Sequence, residues 1–236
     1  MSGQSEGYTN SKINIAIDGP AGAGKSTVAR MVAGKLGYVY VDTGAMYRAV
    51  TLRMLELGIP PENEDKVLQV ARDMVIELKP GEEGQKVLLD GKDVTEQIRS
   101  TGINANVSRY AQIEGLRALM VSLQRQMALR KGVVMDGRDI GTTVLPTAEV
   151  KVFMTAAVEE RARRRFQEMK DPESTSLEQL TRDIAERDRL DAEREVSPLR
   201  QASDAVLLDT TRMTISEVSE AIVSLCEAYG MERSVE

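Results

Sequence analysis

The stretch AIDGPAGAGKSTVA, residues 16–29, decides how the rest of the chain is read. Gly19, Gly24, Lys25 and Ser26 fill every fixed position of G-x-x-x-x-G-K-[ST]. Ile13 to Asp18 before it is a short apolar strand, and Val28, Val32 and Leu36 after it recur at helical spacing. Strand, glycine loop and helix together are the context in which backbone N–H groups turn inward around phosphate oxygens, helped by the positive end of the helix. Gly19, Pro20, Ala21, Gly22, Ala23, Gly24, Lys25, Ser26 and Thr27 are therefore expected to hold a nucleotide. Lys25 reaches the β- and γ-phosphates in this reading, and the Ser26 hydroxyl is placed for Mg²⁺.

Working outward, a second strand at Tyr38 to Asp42 leads into a helix whose Ala49, Val50 and Leu57 are expected to face a core, with Gly58 and Pro60-Pro61 ending it. The character then changes. Met74 to Leu78 and Lys86 to Asp90 read as two β-strands joined by the turn-rich KPGEEGQ, with helical parts on either side from about Glu64 to about Val107. Alternation then resumes, with a helix over most of Leu116 to Arg130 and a strand at Val133-Val134-Met135. A strand at Val150 to Met154 follows, then the arginine-rich helix ERARRRFQEMK. Ser176 with Gln179 and Thr214 with Glu217 start two further helices as capping boxes, on either side of a strand at Ala205 to Leu208. Five short strands separated by helices give an α/β fold: a parallel sheet of the P-loop NTPase type, covered on both faces. The antiparallel hairpin inside it marks a small inserted domain.

Composition narrows the function. The 236 residues suit one large α/β domain or a core with an insert. No apolar run approaches the roughly 20 residues of a membrane span, and polar Met1 to Ser11 has no apolar signal region. Cys226 is the only cysteine, read as a buried thiol, so no disulfide framework is expected. There is no histidine, which removes Ser-His triads and His-ligated zinc and leaves proton transfer to carboxylates, lysine or the substrate. A net charge of -6, no Trp and two Phe argue against a nucleic-acid binder.

Three stretches outside the glycine loop carry charge in patterns that admit two readings. Asp136 ends an apolar strand; it serves either a turn or Mg²⁺, directly or through water, and the neighbouring Arg138 and Asp139 favour the ligand side. Arg161, Arg163, Arg164 and Arg165 share one helix, as a solvated face balanced by glutamates or as a cluster closing over phosphate. Arg187, Asp191 and Arg194 stand at i, i+4 and i+7; taken alone they form an ion-pair ladder.

Taken together, IDGPAGAGKST (17–27), VDTGAMYRAV (41–50), DGRDIGT (136–142) and ERDRLDAERE followed by SPL (186–199) resemble one family, the bacterial cytidylate kinases, which are nucleoside-monophosphate kinases. The motifs stand in family order and span nearly the whole chain after Lys12. The resemblance implies ATP, bound with Mg²⁺, and CMP or dCMP as substrates, in pyrimidine nucleotide metabolism. It implies a polar tail at 1–12, core at 13–42, 108–154 and 173–236, a monophosphate-binding insert at 43–107 and a helical lid at 155–172. Lys25, Arg138 and Arg187 would be catalytic. Arg48 and Arg138 would hold the acceptor's phosphate, Asp42 and Thr43 would also bind CMP, and Ser108, Arg117 and Asp139 would read the cytosine edge. Arg187 and Asp191 would lie near the acceptor's sugar and phosphates with Arg194 beside them, while Arg161, Arg164 and Arg165 would belong to the lid. A cytoplasmic monomer with no membrane or nucleic-acid partner is expected.

The chemistry of the groups agrees with those roles. Cytosine offers an N4 amino donor beside an N3 acceptor, which suits a carboxylate and hydroxyl at one position and an arginine at the other; uracil reverses that edge. Ser108 and Arg117 would lie on opposite faces of an unbroken helix, so a break is expected near Gln112 to Gly115. An acceptor phosphate with a second pKa of about 6 needs no strong base, as befits a chain without histidine. Two other readings are weaker. A kinase for another small acceptor leaves Ser108, Arg117 and Asp139 without a role. A GTPase-like switch or ATPase module would leave the Arg-bearing motifs unexplained, and no N-K-x-D motif accompanies the glycine loop.

Overall fold

The computed structural model describes residues 12–81, 84–169 and 175–232. The expected tail, apart from Lys12, and positions 170–172 of the expected lid lie outside them.

Strand β1 (Asn14–Asp18) sits in the middle of a five-stranded sheet. Its neighbours are β6 (Val133–Gly137) and β7 (Val150–Thr155), with β2 (Val39–Asp42) outside β6 and β8 (Val206–Asp209) outside β7. All four pairings are parallel. β1 and β6 are buried along their whole length, as strands covered on both faces must be. Side chains alternate between the faces. Ile15, Ile17, Val134 and Val152 meet α1 (Lys25–Leu36) and α8 (Ile215–Glu232) through Val28, Val32, Val218 and Ile222. Ala16, Val41, Val133 and Met135 turn the other way, toward Ala128 of α5 (Glu114–Ala128) and toward Ile140 and Val144. Because β1 is paired with β6 on one side and β7 on the other, the crevice of the sheet opens where β1 passes into the glycine loop.

The insert is a separate antiparallel sheet, β3 (Ile76–Gly81), β4 (Gly84–Leu89) and β5 (Lys92–Asp93). One side of α2 (Thr43–Glu56) covers it through Ala45 and Ala49. The opposite side of α2 packs through Met46, Val50 and Met54 on α3 (Glu64–Asp73), α4 (Thr101–Tyr110) and α5. Gln85 of β4 fastens the insert to the open edge of the parallel sheet: its amide donates to the Tyr40 carbonyl at 2.5 Å and accepts from the Asp42 N–H at 3.2 Å.

Several expectations need revision. Leu57 does not face the core; it caps the end of α2 and is 52% exposed, because Gly58 at φ 64 turns the chain away. The expected helix break is present, between α4 and α5 at residues 111–113. Gly115, however, is helical, and its missing side chain lets Leu68 of α3 approach, since a Cβ there would stand 2.7 Å from a Leu68 methyl. Helix α4 also runs across the expected domain boundary at 107/108. Ser176 caps α7 (Leu177–Glu193) by accepting from the Gln179 N–H, but the Gln179 side chain turns to Asp183, so this capping box is half made. Thr214 and Glu217 make both halves of theirs.

Candidate active site

The glycine loop leaves β1 at Gly19, where a side chain is impossible: a Cβ would stand 2.0 Å from the Met154 carbonyl oxygen of β7. Gly24, left-handed at φ 82, delivers the chain into α1. Lys25 is buried and its Nζ donates to the Pro20 carbonyl at 2.7 Å, folding back over the loop. Burial, then the nearby Arg138 charge, lower its pKa to about 7. Ser26 in the first turn is exposed and Thr27 half-buried.

At the end of β6, Asp136 is buried beside Lys25. One of its oxygens accepts from the Tyr40 phenol at 2.8 Å, and its backbone carbonyl accepts from the Thr43 hydroxyl at 2.7 Å. Burial, then the Asp42 carboxylate, raise the Asp136 carboxyl to about 7. Asp42 caps α2 by accepting from the Ala45 N–H at 2.7 Å, and its second oxygen holds Arg48 at 3.0 Å. Of the motif VDTGAMYRAV, Asp42 and Thr43 therefore build the helix start, while Arg48 is held at the crevice.

Arg138 follows β6 and is gripped by Asp191 of α7 at 2.7 Å. Burial opposes the Arg138 charge, but Asp191 outweighs it and holds the guanidinium above its ordinary range. Arg187, one turn earlier on α7, is different. Its Nε is buried without a hydrogen-bond partner. Burial, then Arg138, lower its pKa to about 10, with Arg48 and Arg165 pushing the same way. Lys25, Arg138 and Arg187 thus crowd together beside the glycine loop: Arg138 and Arg187 both act on Lys25, and Arg138 acts on Arg187.

This corrects the ladder reading of α7. Asp191 pairs with Arg138 across the crevice, and Arg194 lies past the helix in extended backbone as its C-cap. The surface ladder on this helix belongs to Arg189, which pairs with Glu186 and Glu193.

A second cluster lies beyond Arg138. Asp139 forms a buried ion pair with Arg117 of α5, and Arg194 approaches its other oxygen at 3.8 Å. Arg117 also donates to the Ala111 carbonyl at 3.0 Å, in the break before α5, and lies over the Tyr47 ring at 5.4 Å. The break that frees Arg117 from the register of α4 is what lets it reach Asp139. Ser108, half-buried on α4, joins none of these bonds among the described residues.

The arginines of α6 (Val158–Gln167) are mostly committed elsewhere. Arg161 is buried, bonds the Ala156 and Ala21 carbonyls at 2.9 and 2.8 Å, and pairs with Asp188 at 2.6 Å. Asp188 in turn accepts from the Ala21 N–H at 3.2 Å, so both polar groups of one glycine-loop residue are clasped by the α6–α7 pair. Arg164 donates to the Thr210 carbonyl at 2.6 Å. Arg165 is left half-exposed, facing Glu168 at 3.9 Å, and contributes to the field on Arg187.

Sequence reasoning missed Tyr40, Gln85, Asp188 and Asp18. Only Asp18 carried a signal, a carboxylate at the end of an otherwise apolar strand. It is buried, and its two oxygens each accept one backbone N–H at 2.7 Å, from Ile140 and Gly141.

A parallel sheet with a complete glycine loop at the end of its central strand, facing a crevice lined by converging arginines, defines a nucleotide-binding protein of the P-loop kinase class. The cytidylate kinase family model matches residues 15–228. The chain is 56% identical over 212 residues to the cytidylate kinase of Limosilactobacillus reuteri, covering 89% of this chain and 93% of that one. It is 49% identical over 224 residues to the cytidylate kinase of Oceanobacillus iheyensis, covering 94% and 97%. Among solved structures, an uncharacterized protein from Eubacterium ventriosum shares the fold at a TM-score of 0.51 and 12% identity, over 92% of this chain and 99% of that one. The chain belongs to the cytidylate kinase family.

Proposed function

We infer that the chain is an ATP-dependent nucleoside-monophosphate kinase that moves the γ-phosphoryl group of ATP to CMP or dCMP. The observation that carries this reading is the crowding of Lys25, Arg138 and Arg187. Arg138 and Arg187 disfavour the charge on Lys25, and Arg138 that on Arg187; such cations are costly to hold together, and a polyanion between them removes that cost. A site that must take phosphates from two nucleotides needs this excess of positive charge.

The roles follow from where the groups stand. The glycine loop and Lys25 hold the β- and γ-phosphates, and binding of these anions favours the charged form of Lys25. Arg48, Arg138 and Arg187 gather the acceptor phosphate, whose ionised oxygen attacks the γ-phosphorus as the bond to the β-phosphate oxygen breaks. ADP leaves and a nucleoside diphosphate forms. No proton need be removed, because the acceptor's second pKa is about 6. Catalysis is positioning and charge neutralisation. Arg117, Asp139 and Arg194 meet the base, with Ser108 as a further acceptor for its amino group. Asp191 keeps Arg138 aimed.

Mg²⁺ brought with ATP fits the residues present. The exposed Ser26 hydroxyl and the Asp136 carboxylate, which keeps one oxygen free of the Tyr40 bond, are hard oxygen donors suited to a small cation that shares ligands with substrate phosphates. Among the described residues no group of three or more acidic, His or Cys side chains could hold a metal by itself. When bound, the ion neutralises charge on the transferring group. No helix among the described residues is long and apolar enough to cross a membrane; a cytoplasmic setting and a monomeric state belong to the same reading.

The test is ADP formation from ATP and Mg²⁺ with each nucleoside monophosphate in turn. CMP and dCMP should drive it well above the rate without acceptor. Equal ATP consumption with and without acceptors would overturn the kinase reading.

A further inference from the structure

Asp18 closes β1, one residue before the glycine loop, and Asp139 lies at the end of the neighbouring strand β6. Between them runs a tight turn, residues 140–144, wound with wider than α-helical hydrogen bonding. The first two N–H groups of that turn belong to Ile140 and Gly141, and both point back at Asp18, which receives them at 2.7 Å on separate oxygens. A carboxylate bridging two successive N–H groups fixes the peptide planes on the C-terminal side of Asp139. Asp139, the residue that leads into this turn, has φ -144 and ψ 27. The turn is also closely confined at Gly141: a Cβ there would stand 3.3 Å from an Asp18 oxygen and 3.2 Å from the Lys151 side chain. Lys151 cannot readily yield, because its ammonium is held by the Asp204 carboxylate and the Pro146 carbonyl. Asp18 contributes nothing to the crevice surface, being 4% exposed with both oxygens occupied.

We propose that Asp18 is a specificity-positioning residue: by pinning the N–H groups of Ile140 and Gly141 it sets the backbone of Asp139, and so the place at which the Asp139 carboxylate meets Arg117 and the acceptor base. The inference rests on the cytidylate kinase reading and deepens it. One residue of the triphosphate-binding strand thereby fixes the geometry of base selection on the next strand.

The experiment is the ratio of kcat/KM for CMP to that for UMP in the wild type and in Asp18→Asn. Asparagine has the same shape but one acceptor oxygen, so its amide N–H₂ must face one of the two backbone donors and the turn has to shift. Asp18 also lies near Lys25, and losing its charge alters the shared catalytic machinery. That effect is common to both acceptors and cancels from the ratio. The expected result is a fall of about tenfold in the CMP preference, with altered exchange protection of the Ile140 and Gly141 amides. Gly141→Ala, which crowds both Asp18 and Lys151 at the same turn, should lower the ratio in the same direction and serves if Asp18→Asn does not fold. An unchanged ratio in a folded variant, with wild type preferring CMP, overturns the role of Asp18. A wild type with no preference for CMP over UMP overturns the underlying reading of the base site instead.

Discussion

Arg117 and Asp139 form an ion pair shut away from solvent, with side chains 3% and 7% exposed. Burying two charges is expensive, and an apolar pair of the same size would often be as stable or more so. A pair kept in spite of that cost and flanked by Arg194 suits the base-reading role proposed for it. It supplies one acceptor-only group and one donor-only group in fixed relation.

Asp139→Asn should therefore weaken the preference for CMP over UMP by roughly ten- to a hundredfold in kcat/KM, on the order of 1–3 kcal/mol. Asparagine can turn either its oxygen or its amide to the base and so accommodates both edges. ATP affinity should change much less. Steady-state kinetics with both acceptors, alongside ATP binding, check this. An unchanged ratio would remove Asp139 from base selection.

The Arg161–Asp188 clasp on Ala21 has a separate consequence. Arg161→Ala and Asp188→Ala should each raise the KM for ATP by about tenfold, because the glycine loop loses the contacts that hold its third residue. The double variant should cost little more than either single one, since the two side chains act as one unit. Additive losses would show that they support the loop independently.

Burial, the largest influence on Asp18, raises its carboxyl from 3.8 to about 6, against the lowering by its two N–H bonds. Between those values the folded chain keeps a proton that the unfolded chain has released, so Asp18 makes stability fall as pH rises across that window. Asp18→Asn removes the effect. Its stability relative to wild type should improve by about 2–3 kcal/mol from pH 4 to pH 7, read from denaturant unfolding at both values. A pH-independent difference would mean that the carboxyl titrates normally.

Much of the fold could be read from the chain because its signals are local. The glycine loop fixes β1 and α1, apolar runs fix the central strands, and turn residues bracket the inserted hairpin. Arg48, Arg138, Asp139 and Asp191 were legible as site candidates through three of the four spaced motifs, and Arg117 through the resemblance those motifs carry. What the sequence hid depends on pairings between distant segments. Asp188 meets Ala21 across 167 positions, and Asp18 meets Ile140 across 122. No local pattern distinguishes Asp188 from a solvated carboxylate, and the apolar strand that ends at Asp18 marks its burial but not its partners. Arg161 misled for the same reason: Arg163 and Arg165 on the same helix are exposed, yet Arg161 turns inward because Gly22 and Ala21 leave room and a carbonyl for it. The ladder spacing of Arg187, Asp191 and Arg194 is a helical rule, and α7 ends at Glu193 before the third member.

The central claim is that the γ-phosphoryl group passes to the phosphate of a cytidine monophosphate. ATP labelled in its γ-phosphate, incubated with Mg²⁺, CMP and the enzyme, tests it most directly, with products separated and Lys25→Ala run beside the wild type. The label should appear in the β-phosphate of CDP, with little in inorganic phosphate, and folded Lys25→Ala should transfer almost none. Label recovered mainly as inorganic phosphate, or transfer at near-normal rate by Lys25→Ala, would contradict the account.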